Sequence, residues 1–179
     1  MTNEQVLEAI KGQFNEGILH TEETYGMLCL TIEKDLVLPI LHFLKNDERL
    51  AFNFLTDLCG IHYPDNKGSE LGVVYHVHNM VRNHRLRLKA FMPIENPSIK
   101  TASNLYSAAN WMERETFDFF GIIFEGHPNL KRILNMDEMT VHPMRKEFPL
   151  EDPFRTDKED RFFGRTQNNE ALINPVHGA

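Results

Sequence analysis

An alternating stretch near the middle of the chain, "RLRLKAFM" (85–92), most strongly limits the possible fold. Successive side chains of a β-strand point to opposite faces of the sheet, so basic and apolar residues separate here. The stretch therefore predicts a strand with one wall on a hydrophobic core and one basic wall facing outward. The outward wall is either a solvated sheet face or a docking face for an acidic partner. The basic residues are Arg85, Arg87 and Lys89, and the apolar ones are Leu86, Leu88 and Ala90.

Other segments with clear periodicity complete the predicted architecture. "GVVYHVHNM" (72–80) predicts a second strand, and the four residues between it and the first suit a hairpin. Further strands are predicted in "GMLCLTI" and "LAFNFLTDLCGIHYP", and helices in "TNEQVLEAI" and "LVLPILHFLKND". The fold class is α+β, with a mainly antiparallel sheet packed with helices on one side, followed by an extended C-terminal tail.

A third helix is predicted to end in "ERETFDFFG" (113–121), with Ser103 as its N-cap and Gly121 as a left-handed C-cap. Glu113 and Glu115 lie two residues apart, so they point to different sides of a helix and do not converge as an acid–base pair. Arg114 and Asp118 have the i,i+4 spacing of a stabilising pair. The hypothesis for the phenylalanines is that all three anchor the helix end in the sheet core; they are Phe117, Phe119 and Phe120.

Composition excludes several functions. The formal net charge of −7 argues against a nucleic-acid binder, and no apolar run is long enough to cross a bilayer, so membrane contact is expected only through a partner. The two cysteines, Cys29 and Cys59, are predicted to be buried free thiols, and two thiols cannot supply the four ligands of an ordinary iron–sulfur cluster. No nucleophile elbow, phosphate-binding loop or dinucleotide-binding motif is present.

Histidines suggest a distant alternative, a stand-alone metalloenzyme. The two histidines of "HVH" would share one strand face, and two more stand before prolines in "GHP" and "VHP". No carboxylate completes a recognisable zinc motif, and His127 is better explained as a turn residue whose ring forms local hydrogen bonds. The histidines of this alternative are His76, His78, His127 and His142.

The character of the chain changes after Asn135. We therefore predict a globular domain over 1–135 and an extended segment over 136–179, which is rich in proline and charge and lacks helical or strand periodicity. Apolar residues are spaced along this segment like anchors, which indicates that it docks on a partner protein. These residues are Phe148, Leu150, Phe154, Phe162 and Phe163.

"ANWMERETFDFFGIIFEGHPNLKRIL" (109–134), followed by "HPMRKEFPL" (142–150), resembles the signature of the 30-kDa subunit of respiratory complex I, the proton-translocating NADH:quinone oxidoreductase. The order of the preceding elements also resembles that family. One departure is Val141, where the family usually has glycine, and valine does not easily adopt a positive φ. The resemblance implies that twelve residues are signature or interface positions of the family. They are Glu113, Arg114, Glu115, Asp118, Gly121, His127, Pro128, Lys131, His142, Pro143, Arg145 and Lys146.

The resemblance implies a non-catalytic structural and assembly subunit in the peripheral arm of this enzyme, on the cytoplasmic side of the cell membrane. It implies packing against the 49-kDa subunit of the complex, near the quinone-reducing module and the neighbouring iron–sulfur subunits. It also implies that flavin and iron–sulfur clusters belong to the partner subunits and that this subunit holds none. The resemblance also implies that related membrane-bound hydrogenases and ferredoxin-linked complexes use an equivalent subunit. The alternative function is therefore that of the equivalent subunit in one of those complexes.

The resemblance and the helix pattern together suggest a charge network at the end of the third helix. Its acids and Arg114 are expected to pair with Arg145 and Lys146 of the tail, or with the 49-kDa subunit. Removing one partner from such a desolvated network can cost about 3–5 kcal/mol. Arg114→Ala is therefore expected to reduce assembly while the isolated protein stays folded.

Overall fold

A five-stranded mixed sheet organises the fold in the computed structural model, which describes residues 1–148. Its strands are β1 (Ile18–Thr24), β2 (Met27–Ile32), β3 (Phe54–His62), β4 (Leu71–Asn79) and β5 (His84–Met92). They lie side by side in the order β1-β2-β5-β4-β3; β2 and β5 run parallel, and the other three pairs run antiparallel. The predicted α+β class and mainly antiparallel sheet are confirmed. Strand β1 was not predicted.

Three helices and a small second sheet complete the described part of the chain. The helices are α1 (Asn3–Phe14), α2 (Val37–Asn46) and α3 (Ala109–Phe120), and β6 (Ser98–Lys100) pairs in parallel with β7 (Ile123–Glu125). Single 3-10 turns precede β1 (Asn15–Gly17) and α2 (Lys34–Leu36). Over residues 1–148, no helix combines the length and the apolar character that a membrane span requires.

Local sequence explains where the helices begin and end. Thr2 and Gln5 form a capping box at the start of α1, and Pro39 is tolerated because it lies in the first turn of α2. Gly121 closes α3 with a left-handed φ of 75°, as predicted. The prediction of Ser103 as the N-cap of α3 is wrong: the helix begins after Ala108, which provides no side-chain cap.

The core lies between one face of the sheet and the three helices. The inner residues of β4 pair with the apolar residues of β5 across the sheet, and the apolar sides of α1 and α2 join the same cluster. Helix α3 packs on this face beside β3, where Phe120 lies over Gly60 so closely that a Cβ atom there would come within 2.4 Å of the ring. The helices therefore lie on one side of the sheet, as predicted.

The outer sheet face carries the basic residues of β5, but two of the three have partners on that face. Lys89 Nζ lies 2.8 Å from a carboxylate oxygen of Glu22 on β1, and Arg87 Nε donates to His76 Nε2 at 2.8 Å. Arg85 is exposed. Because its cations are mostly satisfied within the sheet, this face is better explained as a solvated face than as a docking face for an acidic partner.

The compact unit reaches Phe148, whereas the predicted globular domain ended at residue 135. Residues 142–146 belong to it because they bond to the end of α3 and to β3: Met144 N donates to Phe119 O, and Lys146 N donates to His62 Nδ1. The docking of the C-terminal segment on a partner stays a prediction. Four of its five predicted anchors lie outside the described residues: Leu150, Phe154, Phe162 and Phe163.

Candidate functional site

The signature region folds around the buried side of α3. Glu113, Arg114 and Asp118 are buried on this helix, whereas Glu115 is exposed. The two glutamates therefore point in different directions, which confirms that they do not form a convergent acid–base pair. The buried residues instead hold the segments that precede and follow the helix.

Asp118 is the main acceptor of the region. Its Oδ2 accepts hydrogen bonds from three consecutive backbone N–H groups, those of Ile133 (3.1 Å), Leu134 (2.9 Å) and Asn135 (2.9 Å). Its Oδ1 accepts from Arg132 Nη1 at 2.7 Å and from the Asn135 side chain at 3.0 Å. Burial alone would raise the pKa of Asp118, but these donors hold it well below its ordinary value. The carboxylate therefore stays ionised and fixes the shape of the loop that follows β7.

The predicted pairing of Arg114 with Asp118 is wrong. Arg114 donates to two loop carbonyls, Lys131 O (3.1 Å) and Arg132 O (2.9 Å), and the ionic partner of Asp118 is Arg132. Arg132 also donates to the carbonyls of Met139 and Val141. Two arginines therefore tie the loop to the helix from opposite directions. Arg114→Ala would loosen this chain's own loop, so it is not a clean test of contact with another protein of the complex.

A short capping segment, residues 142–146, covers the C-terminal end of α3. His142 Nδ1 donates to Asp118 O (3.0 Å), and Arg145 Nε donates to Phe120 O (2.7 Å). With the Met144 N–H on Phe119 O, the segment satisfies three successive carbonyls that a helix end leaves free. The predicted pairing of Arg145 and Lys146 with the helix acids is wrong, because Arg145 binds a carbonyl and Lys146 contributes its backbone N–H to His62. Sequence reasoning missed His62, which no local motif marks.

Glu113 joins the start of α3 to the loop after β6. One oxygen accepts from Ala102 N at 2.7 Å, and the other accepts from the Thr101 hydroxyl. His127 Nε2 lies 3.9 Å from this second oxygen. Since His127 Nδ1 accepts from Asn129 N, Nε2 carries the proton that binds Asn110 O at 3.0 Å. The ring thus forms the local turn contact that was predicted.

We expect Glu113→Gln to remove a pH-dependent component of stability. Burial raises the pKa of Glu113 to about 7, although its hydrogen bonds to Thr101 and Ala102 act in the opposite direction. A raised carboxyl pKa means that the contribution of this group is full below about pH 4 and is lost as the pH rises towards 7. The variant should therefore gain stability relative to wild type between pH 5 and pH 8, on the order of 3 kcal/mol.

Thermal denaturation of both proteins across this range measures the effect. The comparison with wild type isolates the contribution of Glu113 from other pH-dependent effects. Glu115→Gln, an exposed neighbour on the same helix, is the control and should show no such difference. A difference between wild type and Glu113→Gln that stays constant from pH 5 to pH 8 would show that Glu113 does not titrate there.

The four histidines of the metal alternative are not brought together. His76 bonds to Arg87 and His78 to Asn83, while His127 and His142 bond to backbone carbonyls at opposite ends of α3. In the part of the chain that the structure describes, no group of three or more His, Cys, Asp or Glu side chains is placed to hold a metal ion. Cys29 and Cys59 are free thiols on β2 and β3, although only Cys29 is fully buried.

Only two of the three phenylalanines at the end of α3 have the predicted role in the core. Phe120 is buried in the core and Phe119 packs against it, but Phe117 lies against His142, with 6.1 Å between ring centroids. The core anchor role predicted for Phe117 is therefore wrong. Val141 has no left-handed φ, since the non-glycine residues of 1–148 with positive φ are Tyr25, Ala51 and Asn83.

The remaining signature positions serve through their backbone or lie at the surface. Lys131 is exposed, and its backbone carbonyl accepts a hydrogen bond from Arg114. Pro128, before the loop, is exposed, and Pro143, after it, is half-buried. Most signature side chains thus have structural partners inside the chain. That these residues also contact another protein of the complex stays a prediction.

Comparison with known proteins identifies the family. The family described as "Respiratory-chain NADH dehydrogenase, 30 Kd subunit" matches residues 30–154. A protein of Geobacter metallireducens, named as the C subunit of NADH-quinone oxidoreductase, is 37% identical over 154 residues, which cover 86% of this chain and 93% of the relative. The Nocardioides protein of the same name is 44% identical over 125 residues, but the match spans only half of that longer relative.

Solved structures agree with this result. A structure described as "Nqo5 of the trypsin-resistant fragment (1-134)" matches with a TM-score of 0.63 and 30% identity, covering 73% of this chain and all of that fragment. A chain of the membrane-bound sulfane sulfur reductase, an archaeal respiratory membrane complex, matches with a TM-score of 0.69 but only 23% identity, so it shows the fold alone. The chain belongs to the family of the 30-kDa subunit of respiratory-chain NADH dehydrogenase, the NADH-quinone oxidoreductase known as respiratory complex I.

Proposed function

We propose that this protein is a structural and assembly subunit in the peripheral arm of proton-translocating NADH:quinone oxidoreductase, without a catalytic site of its own. In this proposal it packs against the 49-kDa subunit near the quinone-reducing module, beside the iron–sulfur subunits. The observation that carries the proposal is how the signature side chains are used. Glu113, Arg114 and Asp118 are buried and bound to this chain's own backbone, so they support a loop rather than a reacting substrate.

The proposal assigns flavin and iron–sulfur clusters to the partner subunits. The whole chain has two cysteines, and they lie on β2 and β3 as free thiols. An ordinary cluster needs four thiolates, so this chain by itself does not have the ligands for one. This supports a role in holding cofactor-bearing neighbours in place.

The proposed location is the cytoplasmic face of the cell membrane, with membrane contact only through the complex. The family membership supports this, because relatives are named as subunits of an enzyme whose electron acceptor is a quinone. The acidic net charge of −7 favours contacts with protein over contacts with nucleic acid.

Affinity purification of the tagged full chain from detergent-solubilised membranes tests the proposal. We expect the 49-kDa subunit and the iron–sulfur subunits to be recovered in amounts equal to the bait, together with NADH:quinone reductase activity. The same tag on an unrelated cytoplasmic protein is the control. Recovery of the chain without the 49-kDa subunit, from membranes in which the complex is active, would contradict the proposal.

The same experiment distinguishes the alternative function from the proposed one. An equivalent subunit of a membrane-bound hydrogenase or a ferredoxin-linked complex would bring hydrogenase or ferredoxin-binding proteins instead of NADH-binding ones. A chain of another respiratory membrane complex, the archaeal membrane-bound sulfane sulfur reductase, has the same fold, so the fold by itself does not distinguish the two functions. The much higher identity to proteins named as part of NADH-quinone oxidoreductase favours the first proposal.

A further inference from the structure

A row of polar side chains crosses the outer face of the sheet, on the side away from the helices. Asp57 on β3 pairs with His76 on β4, which in turn pairs with Arg87 on β5. The register of β3 shifts after Leu55, where a β-bulge adds one residue to the strand, and this shift brings Asp57 beside His76. The imidazole ring therefore lies between a carboxylate on one strand and a guanidinium on another.

The hydrogen bond between Arg87 and His76 fixes the protonation state of the ring. Arg87 Nε always carries a hydrogen and can only donate, so His76 Nε2 must accept at 2.8 Å through its lone pair. The proton of the neutral ring is therefore on Nδ1, the nitrogen that faces Asp57. A protonated ring carries hydrogens on both nitrogens and cannot accept, so this bond exists only while His76 is neutral.

The other nitrogen of the ring has a second partner nearby. His76 Nδ1 lies 3.7 Å from Asp57 Oδ2, which is too far for a hydrogen bond, and it is buried without another partner among the residues that the structure describes. The Asp57 side chain is 53% exposed, so it can change rotamer without disturbing the core. A positive charge on the ring would attract this carboxylate and repel the guanidinium of Arg87.

The charged groups around the ring oppose its protonation. Three basic side chains of β5 act on it, and they are Arg85, Arg87 and Lys89. Burial is the main cause that lowers the pKa of His76, and these cations act in the same direction, whereas Asp57 opposes them. The lysine is itself paired with Glu22 on β1, and burial raises the pKa of the Cys29 and Cys59 thiols on β2 and β3. The folded protein should therefore take up this proton below the ordinary histidine value of about 6.5.

We propose that His76 is a proton-driven switch between two strands, which binds Arg87 when it is neutral and pairs with Asp57 when it is protonated. Uptake of the proton adds one positive charge to this sheet face and releases a guanidinium from its partner. Because the pKa of His76 is lower in the folded than in the unfolded chain, the contribution of the neutral ring to stability is full above about pH 6.5 and is lost as the pH falls. The switch does not depend on the proposed function.

NMR spectroscopy of the isotope-labelled full chain tests the switch without any substitution. At about pH 8 the neutral His76 ring should carry its proton on Nδ1. Arg87 Nε–H should then exchange with solvent about tenfold more slowly than Nε–H of the exposed Arg85, and this difference should disappear as His76 becomes protonated. Both changes should have the same midpoint. A proton on Nε2 in the neutral ring, or an Arg87 signal that does not follow the titration of His76, would overturn the proposal.

Two substitutions should move the midpoint of His76 in opposite directions. Arg87→Met removes the donor and the cation bound to the ring, so His76 should titrate about one pH unit higher than in wild type. Asp57→Asn removes the partner of the charged ring, so His76 should titrate at a lower pH. Arg85→Met is the matched control, because it removes a cation of the same strand that makes no bond to the ring, and its effect should be much smaller. Equal effects of Arg85→Met and Arg87→Met, or an unchanged midpoint in Asp57→Asn, would contradict the switch.

Discussion

Replacing Asp118 with alanine is expected to lower the free energy of unfolding by about 3–5 kcal/mol. The substitution removes the acceptor of three consecutive backbone N–H groups and leaves the largely buried guanidinium of Arg132 without its ionic partner. Breaking a buried pair from one side is costly because the remaining charge stays desolvated. The loop that carries Leu134 and Met136 should lose its shape even under conditions in which the sheet stays folded.

Denaturant unfolding and amide hydrogen exchange of Ile133, Leu134 and Asn135 measure this effect. Glu115→Ala on the same helix is the control, and it should change stability by less than about 0.5 kcal/mol. If Asp118→Ala behaves like this control, the carboxylate does not hold the loop.

The same carboxylate should make the protein sensitive to acid. Because the pKa of Asp118 is depressed in the folded state, its contribution is present above the unfolded-state value of about 3.9 and is lost as the pH falls further. Asp118→Asn should be less stable than wild type at pH 7, and the difference should shrink progressively as the pH falls below about 3.9. A constant difference at all pH values would show that the charge is unimportant.

Replacing Gly121 with alanine is expected to be the other strongly destabilising change, by about 3 kcal/mol or more. Two effects combine at this position. The left-handed φ of 75° disfavours a side chain by about 1–2 kcal/mol. A Cβ atom would also lie 2.6 Å from the His142 ring and 2.7 Å from Arg145 Nη2, so the capping segment would have to move off the helix end.

Gly26 provides a control that separates these two effects. It has the same φ of 75°, but an added Cβ atom would have no neighbour within 4 Å. Gly26→Ala should therefore show only the backbone cost, about 1–2 kcal/mol in thermal or denaturant unfolding. An equal loss of stability in the two variants would mean that the capping segment moves away from the added Cβ atom without a cost in free energy.

Elements with strong local periodicity could be predicted from the sequence. Strands β4 and β5 and the helices α1 and α2 follow from residue patterns that repeat every two or every three to four positions. Strand β1 could not be predicted in this way, because "ILHTEET" is an edge strand without a buried face. Its place beside β2 depends on pairing with that strand, which no pattern inside the segment reveals.

The amino-acid sequence by itself determined the fold class, the end of α3 at Gly121 and, through a long specific motif, the family. These depend on the order of nearby residues, whose backbone preferences act over a few positions. Only the tertiary structure decided which partner each signature side chain has. Asp118 binds Arg132 fourteen positions away, and His62 binds the backbone of Lys146 across 84 positions. Such contacts follow from how the chain turns back on its own core, because burial selects donors and acceptors by position in space and not by spacing along the chain.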